Sequence, residues 1–428
     1  MKSCSSRSID AITLFLVEEN NLTPRYPSWN AAGASPRTAE DDTYASLPLV
    51  LHVIDSLSLG GAETLLASNI EVLSGSYRQE LVTLGPSDGP LRPRIEPFVD
   101  RIFTLNCHSN RELLLAMWRL YRLFGSRQPA LIHTHLQRAA LCAKVACPAS
   151  VPLLYSLHSE YSRDAFASSK GRVALGLERL TTRPSHHLLA VSQVVLNDYQ
   201  QYVTGFGTAS VLYNPVRDEF FDARKTPSVK DPSQPLRMVA VGWLNEAKNY
   251  SYALDAMSAL INHPVSLDIW GEGPLRSNLE AIIRNRGLVN VRLRGARSGL
   301  HTILPDYDVY LTTSSHEGFG IAPVEGMAVG LPVIASDIPV YREVLGSAAL
   351  LCDLTSSGDL VTQIERFLSD SDGSFQAERS ALACARSAEI SSSRRYRKGL
   401  LEVYDRLIGT GQRSIGTEPR QFPGSCSG

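Results

Sequence analysis

Cysteine is sparse and scattered in this chain. Its seven residues (Cys4, Cys107, Cys142, Cys147, Cys352, Cys384 and Cys426) form no CxxC pair and no Cys/His cluster at zinc spacing, which excludes a zinc-ribbon scaffold. An odd, dispersed set suits a reducing cytoplasm. Long apolar runs are missing as well, since none approaches the roughly 20 residues that span a bilayer. The best N-terminal candidate, Ala11 to Val17, runs straight into Glu18 and Glu19 without a signal-peptide cleavage pattern. Charge of one sign is not in excess either. With 42 Lys+Arg against 43 Asp+Glu the formal net charge is -1, so no nucleic-acid partner is expected. The expectation is a soluble or peripheral protein of the cytoplasm.

What is present is enough chain for two ordinary cores: 428 residues, 43% of them hydrophobic. Residues 1–46, rich in Ser, Asn, Pro and Thr, read as a disordered extension, and the Gly/Ser/Pro-rich 409–428 as a flexible tail. Between them, short apolar runs alternate with helical patterns. Leu49–Ile54, Leu81–Leu84, Leu131–His135, Leu153–Leu157 and Leu188–Val191 read as strands, with helices such as Arg111–Leu123 between them. Four prolines in 215–236 mark a linker, after which the alternation restarts at Met238–Val241 and runs through Val265–Trp270, Val291–Leu293, Val309–Thr313 and Pro332–Ala335. The economical reading is an N-terminal α/β domain over 47–214 and a second over 237–390. Each has a doubly wound parallel sheet, and ligand is expected at the carboxyl ends of the strands. A last helical stretch, 391–408, sets Tyr396, Leu400, Leu401, Tyr404 and Leu407 at helical spacing as a packing face.

The chemistry concentrates between Val309 and Val329. An apolar strand ends at Thr313-Ser314, followed by Ser315-His316-Glu317-Gly318-Phe319-Gly320 and a helix with Pro323 near its first turn. Glu325 follows Glu317 after seven intervening residues and is expected in the helix's opening turn. Gly318 and Gly320 let backbone approach a ligand. A helix N-terminus favours phosphate, and a carboxylate can accept from a ribose diol or from sugar hydroxyls. The competing reading is two glutamates at a chance spacing, the second favoured by the helix dipole alone.

Glu317-Gly-Phe-Gly-Ile-Ala-Pro-Val-Glu325 and the following Gly330-Leu-Pro-Val-Ile-Ala-Ser resemble the E-x7-E and G-x-P-V-I-A segments of the retaining GT-B glycosyltransferases of family 4, the glycosyl transferases group 1. The resemblance runs from about Leu49 to Ile408. It implies a GT-B architecture, two Rossmann-like domains facing a central cleft, with the C-terminal domain holding a nucleoside diphosphate sugar. By that resemblance Glu325 binds the ribose, and Glu317 contacts the donor sugar with the backbone N–H groups of Gly318, Phe319 and Gly320. Gly242-Trp243-Leu244-Asn245-Glu246-Ala247-Lys248-Asn249 resembles the family's G-R-L-x-x-x-K segment, so Lys248 is implied to hold the diphosphate; Trp243 stands where the family has an arginine. Gly271 and Gly273, in Trp270-Gly271-Glu272-Gly273-Pro274, and Gly295, in Arg294-Gly295-Ala296, resemble turns that line the nucleotide pocket, although Gly-rich turns follow most strands. Gly60-Gly61-Ala62-Glu63 looks like the family's G-G-x-E loop, with a simple strand-to-helix turn as the equal alternative. His158, at a strand end, matches the histidine that lies near the transferred sugar, and His135 could border the acceptor site. The resemblance also implies that 391–408 crosses back to the N-terminal domain.

The expected reaction is therefore transfer from a nucleoside diphosphate sugar, UDP-linked, to a saccharide or lipid-linked saccharide with retention. It would serve polysaccharide or glycoconjugate synthesis, with no cofactor and no metal. Two Asp-x-Asp triplets, Asp306-Tyr307-Asp308 and Asp370-Ser371-Asp372, read as turns rather than ligands. A sugar-nucleotide epimerase of the same fold, or a nucleotide-sugar-binding protein without turnover, remains open. Charge is uneven along the chain, with fourteen Lys/Arg against six Asp/Glu in 89–190. Arg119, Arg122 and Arg127 flank Trp118 and Tyr121, which suits either a solvated helix face or contact with the inner face of a membrane.

Overall fold

A computed structural model of the chain describes residues 42–58, 60–162, 166, 169–224 and 234–409. Most of the expected extension (1–41), the middle of the expected linker (225–233) and the tail 410–428 lie outside the described residues. The last part of the expected extension is not loose. Asp42–Ala45 form one helical turn, and the Tyr44 hydroxyl donates to Asp100 at 2.9 Å.

Two parallel sheets organise the chain. β1 (Leu49–Ile54), β2 (Arg78–Thr83), β3 (Arg101–Thr104), β4 (Leu131–His135), β5 (Leu153–Leu157), β6 (His186–Ala190) and β7 (Ala209–Val211) pair in the order β3-β2-β1-β4-β5-β6-β7. β8 (Leu236–Val241), β9 (Val265–Trp270), β10 (Val291–Gly295), β11 (Val309–Thr312), β12 (Val333–Ser336) and β13 (Ala349–Cys352) pair as β10-β9-β8-β11-β12-β13. The principal helices are α1 (Gly61–Leu73), α2 (Leu113–Arg127), α3 (Gln137–Ala146), α4 (Ser169–Thr181), α5 (Gln193–Tyr202), α6 (Tyr250–Ala259), α7 (Arg276–Asn285), α8 (Ile321–Ala328), α9 (Pro339–Val344), α10 (Ser357–Leu368), α11 (Ser374–Ser391) and α12 (Ser393–Ile408). Helices cover both faces of a parallel sheet, so central strands are buried on both sides; all six residues of β1 are buried, His52 among them. Strand order reverses between β1 and β4 and again between β8 and β11. At such switch points the connections diverge and open a crevice at the carboxyl ends.

Three strands have no counterpart in the sequence reading. β3, β7 and β13 are terminal strands of their sheets and are less buried than the central ones; β3 and β7 offer only short apolar runs, whereas β13, Ala349-Leu350-Leu351-Cys352, is apolar throughout yet is absent from that reading. β2 also begins earlier than its apolar run, at Arg78, because buried polar residues extend it. Gln79 bridges the His52 ring (3.1 Å) and the Ile70 carbonyl (2.9 Å), and Glu80 is paired with Arg127.

The chain crosses between the sheets twice, and the crossings lie side by side. Val216 N–H donates to the Ser391 carbonyl (2.9 Å) and Ser393 Oγ to the Val216 carbonyl (3.2 Å). α12 then returns to the first sheet and packs on α1 and β4. Tyr396 donates to Asn69, Arg397 to the Val72 carbonyl at 2.9 Å, and the buried Tyr404 hydroxyl meets His133 Nδ1 at 2.6 Å.

Tyr404 is therefore a test of how firmly the last helix clamps the N-terminal sheet. Tyr404→Ala should lower stability by about 3–5 kcal/mol through a large core cavity. Tyr404→Phe, which only leaves the His133 nitrogen unpaired, should cost about 1–3 kcal/mol. Guanidinium unfolding of the three proteins checks the order.

Candidate active site

In the second sheet the turns after β8 and β11 meet at the switch point. After β8 the chain makes a short turn in which Asn245 Oδ1 accepts from Lys248 N–H at 3.2 Å. That turn is stitched to the loop after β11: Ser315 N–H donates to the Ala247 carbonyl (2.8 Å) and Thr313 Oγ1 to the Lys248 carbonyl (2.9 Å). The stitching brings Lys248 Nζ onto Glu317 Oε1 as an ion pair. The same oxygen accepts from Ser314 Oγ at 2.9 Å and from the Tyr341 hydroxyl at 3.5 Å. Glu317 and Lys248, read from sequence as partners of different ends of one ligand, are thus each other's partners in the structure. Glu317 Oε2 has no hydrogen bond among the described residues.

Glu325 is differently placed. α8 begins at Ile321, so Glu325 lies in its second turn and not the opening turn expected from Pro323. The positive φ of Gly320 (81°) forms the helix's N-cap and lengthens the loop ahead of it. The Glu325 carboxylate has no hydrogen bond among the described residues. Burial raises it to about 7, with the Arg217 guanidinium pulling the other way. Phe319 presents its backbone to the loop, while its ring is buried and packs across the cleft on Tyr213 at 5.7 Å.

The glycines expected in the nucleotide pocket are where three strand-end turns press together. A Cβ on Gly271, at φ 152°, would lie 1.9 Å from the Gly242 carbonyl oxygen, and one on Gly273 would lie 2.5 Å from the Leu244 carbonyl oxygen. Gly271 N–H donates to the Gly295 carbonyl at 2.9 Å. Their demonstrable role is this close packing. Trp243 is exposed beside them, and Trp270 Nε1 donates to Tyr307, which donates to Asp268.

The N-terminal domain supplies the opposite wall. His158 ends β5, and a Cβ on Gly318 would lie 1.9 Å from the His158 carbonyl oxygen. The loop carrying Glu317 therefore rests directly on the strand end carrying His158. Ser192 Oγ donates to the Gly318 carbonyl at 2.7 Å. Beside it, Glu343 of α9 accepts from the first amides of α5, Gln193 N–H (2.6 Å) and Val194 N–H (2.9 Å), and from the Tyr213 hydroxyl (2.9 Å). Here a carboxylate of one domain caps a helix of the other. Gly60 and Gly61 sit at the carboxyl end of β1, where Glu63 folds back over Gly60 and accepts from Ser58 Oγ at 3.0 Å. Among the described residues the Glu63 carboxylate makes no capping bond to the amides at the start of α1.

His158 terminates a row of rings. His158 Nε2 and His135 Nδ1 are 3.3 Å apart, His135 and His133 centroids 4.2 Å, and His133 and His52 centroids 5.6 Å. His52 and His133 are register partners on β1 and β4. Nitrogens of His52, His133 and His135 lie within 4.8 Å of one another. Both nitrogens of His133 are engaged, by Tyr404 and by Ser156 Oγ at 2.7 Å, while His52 Nδ1 and His135 Nε2 are buried without a hydrogen bond among the described residues. Burial holds His52 and His158 down to about 4, and His133 and His135 well below their ordinary value.

Three features had not been singled out from sequence. Asp55, just past β1, has a buried Oδ1 without a hydrogen bond among the described residues, and burial raises it to about 6 against the pull of Arg138. Leu136, past β4, holds φ 66°, a strained position at the first sheet's switch point. Arg217 comes to Glu325 from the linker. Of these only Asp55 had a local signal, an acid closing an apolar strand. Both Asp-x-Asp triplets are turns: Asp308 accepts from Arg237 N–H at 2.9 Å, and Asp370 from Phe375 and Gln376 amides.

Residues 222–383 match the family model described as glycosyl transferases group 1, and residues 59–220 that of glycosyltransferase family 4. The UDP-N-acetylglucosamine–peptide N-acetylglucosaminyltransferase GtfA subunit of Streptococcus agalactiae is 41% identical over 76 residues, covering 18% of this chain and 15% of that protein. A GDP-mannose-dependent alpha-(1-6)-phosphatidylinositol dimannoside mannosyltransferase of Mycobacterium tuberculosis is 33% identical over 126 residues, 28% of this chain and 32% of that one. The chain thus spans under a third of either relative's length. Among solved structures, Anabaena HepE in complex with UDP-glucose superposes with a TM-score of 0.70 at 20% identity, over 84% of this chain and 100% of the other; at that identity it is the fold that is shared.

The depressed imidazoles give a pH signature. Below 6.5 the unfolded chain binds protons that the folded rings refuse, so their contribution is complete above 6.5 and is lost as pH falls toward 4. Glu325 and Asp55 act in the opposite sense but are outnumbered by four rings. The melting temperature should fall steadily between those two pH values, and a flat profile would show that the row is hydrated.

Proposed function

The chain belongs to the group 1 glycosyltransferases with a GT-B fold, and from that premise we propose that it transfers a sugar from a nucleoside diphosphate donor, UDP-linked, to a saccharide or lipid-linked saccharide acceptor with retention at the anomeric carbon. The observation that carries this reading is the Lys248–Glu317 pair at the switch point between β8 and β11, followed in the helix after the same loop by Glu325, a carboxylate with no hydrogen bond among the described residues.

In this reading the ribose diol supplies the two donors that Glu325 lacks, and the donor sugar reaches Glu317 Oε2 and the amides of Gly318, Phe319 and Gly320. The diphosphate takes Lys248 away from Glu317. The ammonium and the N-terminus of α8 then stabilise the negative charge that grows on the leaving diphosphate. His158, neutral at physiological pH, exchanges a hydrogen bond with a sugar hydroxyl rather than offering a cation. The acceptor attacks from the face the diphosphate leaves, and the leaving group takes its proton. The charge stabilisation proposed here comes from protein groups and needs no metal. Where the family has an arginine, Trp243 offers an exposed flat face to base or sugar. The substitution also keeps alive a second reading, a nucleotide-sugar-binding protein without turnover.

The HepE complexes with UDP and UDP-glucose support a uracil base, while the mannosyltransferase relative is GDP-mannose-dependent. Among the described residues no helix is long and apolar enough to cross a membrane; we place the reaction in the cytoplasm.

Thermal shift separates the bases. UDP should raise the melting temperature more than GDP or ADP, as a ligand that binds only the folded state does. Glu325→Ala should abolish the shift, and a larger shift with GDP would reassign the base. The affinity of wild type should also weaken as pH drops through about 7, because the diol needs the ionised Glu325 carboxylate.

Lys248→Ala should lower kcat by about 10²–10³, as loss of a transition-state charge partner does. Product analysis with and without saccharide acceptors distinguishes transfer from epimerisation, and binding without any product would favour the non-catalytic reading.

A further inference from the structure

The largest exposed apolar side chains of the N-terminal domain are not scattered. α2 carries Leu114 (76% exposed), Trp118 (50%) and Tyr121 (62%) along one stripe, at spacings of three and four that put them on one face. Its other face buries Ala116, Leu120 and Phe124. α4 repeats the pattern with Val173 (63%), Leu177 (42%) and Leu180 (83%) outward and Leu175 inward. Both helices pack against α3, whose Ala139, Ala140 and Ala143 are buried between them and the sheet. Right-handed crossovers put all three on one side of the sheet. A monomeric protein seldom exposes apolar surface of this extent without a partner.

Charge decides which partner. α2 contains three arginines and no acid, and the single acid of α4, Glu178, is buried in an ion pair with Lys144. Glu112, just before α2, accepts from the amides of His108 and Ser109. Arg122 stands over the Trp118 ring at 5.3 Å, and Arg172 and Arg179 are exposed on α4. A second copy of the chain would bring this cationic face against itself. An anionic bilayer offers both hydrocarbon for the leucines and negative headgroups for the arginines, and Trp and Tyr favour the boundary between them.

We propose that the outer face of α2 and α4 is a docking surface for an anionic lipid bilayer. Both helices follow a strand and start at the carboxyl edge of the first sheet, on the rim where His158 and Gly60 stand. Docking there sets the acceptor side of the cleft at the membrane surface. The inference deepens the lipid-linked part of the proposed acceptor, but it does not depend on the identity of the donor.

The test is co-sedimentation of the full chain with phosphatidylcholine vesicles with and without phosphatidylglycerol, read beside the thermal shift given by UDP. Wild type should bind the anionic vesicles, release them at high salt, and ignore pure phosphatidylcholine. Leu114→Glu/Trp118→Glu, and separately Leu180→Glu, should each weaken binding by about tenfold or more. All should keep the wild-type nucleotide shift, which also reports that they fold. Wild type that stays in the supernatant, binds both vesicles alike, or self-associates in a way the variants abolish would overturn the proposal. So would variants that bind as wild type does. Loss of vesicle binding with an intact nucleotide shift leaves the transferase reading standing. Vesicle binding with no response to any nucleotide removes that reading and leaves the docking surface.

Discussion

The ion pair between Lys248 and Glu317 is the contact on which the donor-side geometry depends. It joins the turns leaving two adjacent strands, β8 and β11, whose onward connections run to opposite sides. The two turns are also stitched by Ser315 N–H to the Ala247 carbonyl and by Thr313 Oγ1 to the Lys248 carbonyl, and the pair closes them at the crevice. With it, Ser314 and Tyr341 converge on the same carboxylate oxygen and the loop into α8 is fixed. The pair is only partly buried, so an incoming diphosphate can compete for the lysine without stranding a charge in a dry interior. Glu325, with no hydrogen bond among the described residues, is raised toward neutrality by burial.

The same loop is the meeting point of the two domains. Its glycine at 318 lies on the His158 carbonyl, its own carbonyl accepts from Ser192, and Glu343 caps α5 close by. The wall built from one domain is thereby held at a fixed height over the other. α12 adds a second tie far from the cleft, through Tyr396, Arg397 and Tyr404.

The interior of the first domain is unusually polar for a doubly wound sheet. A row of neutral imidazoles crosses β1, β4 and β5, and Lys144, Glu178 and Tyr199 form a buried network on the opposite helices. His133, Lys144, Glu178 and Tyr199 have partners, whereas His52 Nδ1 and His135 Nε2 are buried without a hydrogen bond among the described residues. The network also leaves the exposed face of α2 and α4 with cations and no free carboxylate, so a packing arrangement inside the domain sets the sign of its surface.

Much of this was legible locally. Apolar runs marked the central strands because both of their faces are covered. The E-x7-E segment and the lysine turn marked the donor loops because their residue types sit at fixed short spacings. The edge strands β3 and β7 escaped because half-covered strands need few apolar residues, β13 escaped although it is apolar throughout, and the start of β2 escaped because Gln79 and Glu80 owe their burial to His52 and Arg127. Glu325 was placed one turn early, since Pro323 fits several positions of a first turn and only the backbone at Gly320 fixes the start.

What the sequence determined by itself was therefore the alternation of strand and helix, the division into two sheets and the residues of the donor loops, all of which depend on near neighbours along the chain. Only the tertiary structure decided that Lys248 pairs with Glu317, that Arg217 acts on Glu325, and that four histidine rings lie in a row. These contacts follow from sheet order. Strands far apart in the chain become neighbours there, and periodicity along one dimension does not record which ones.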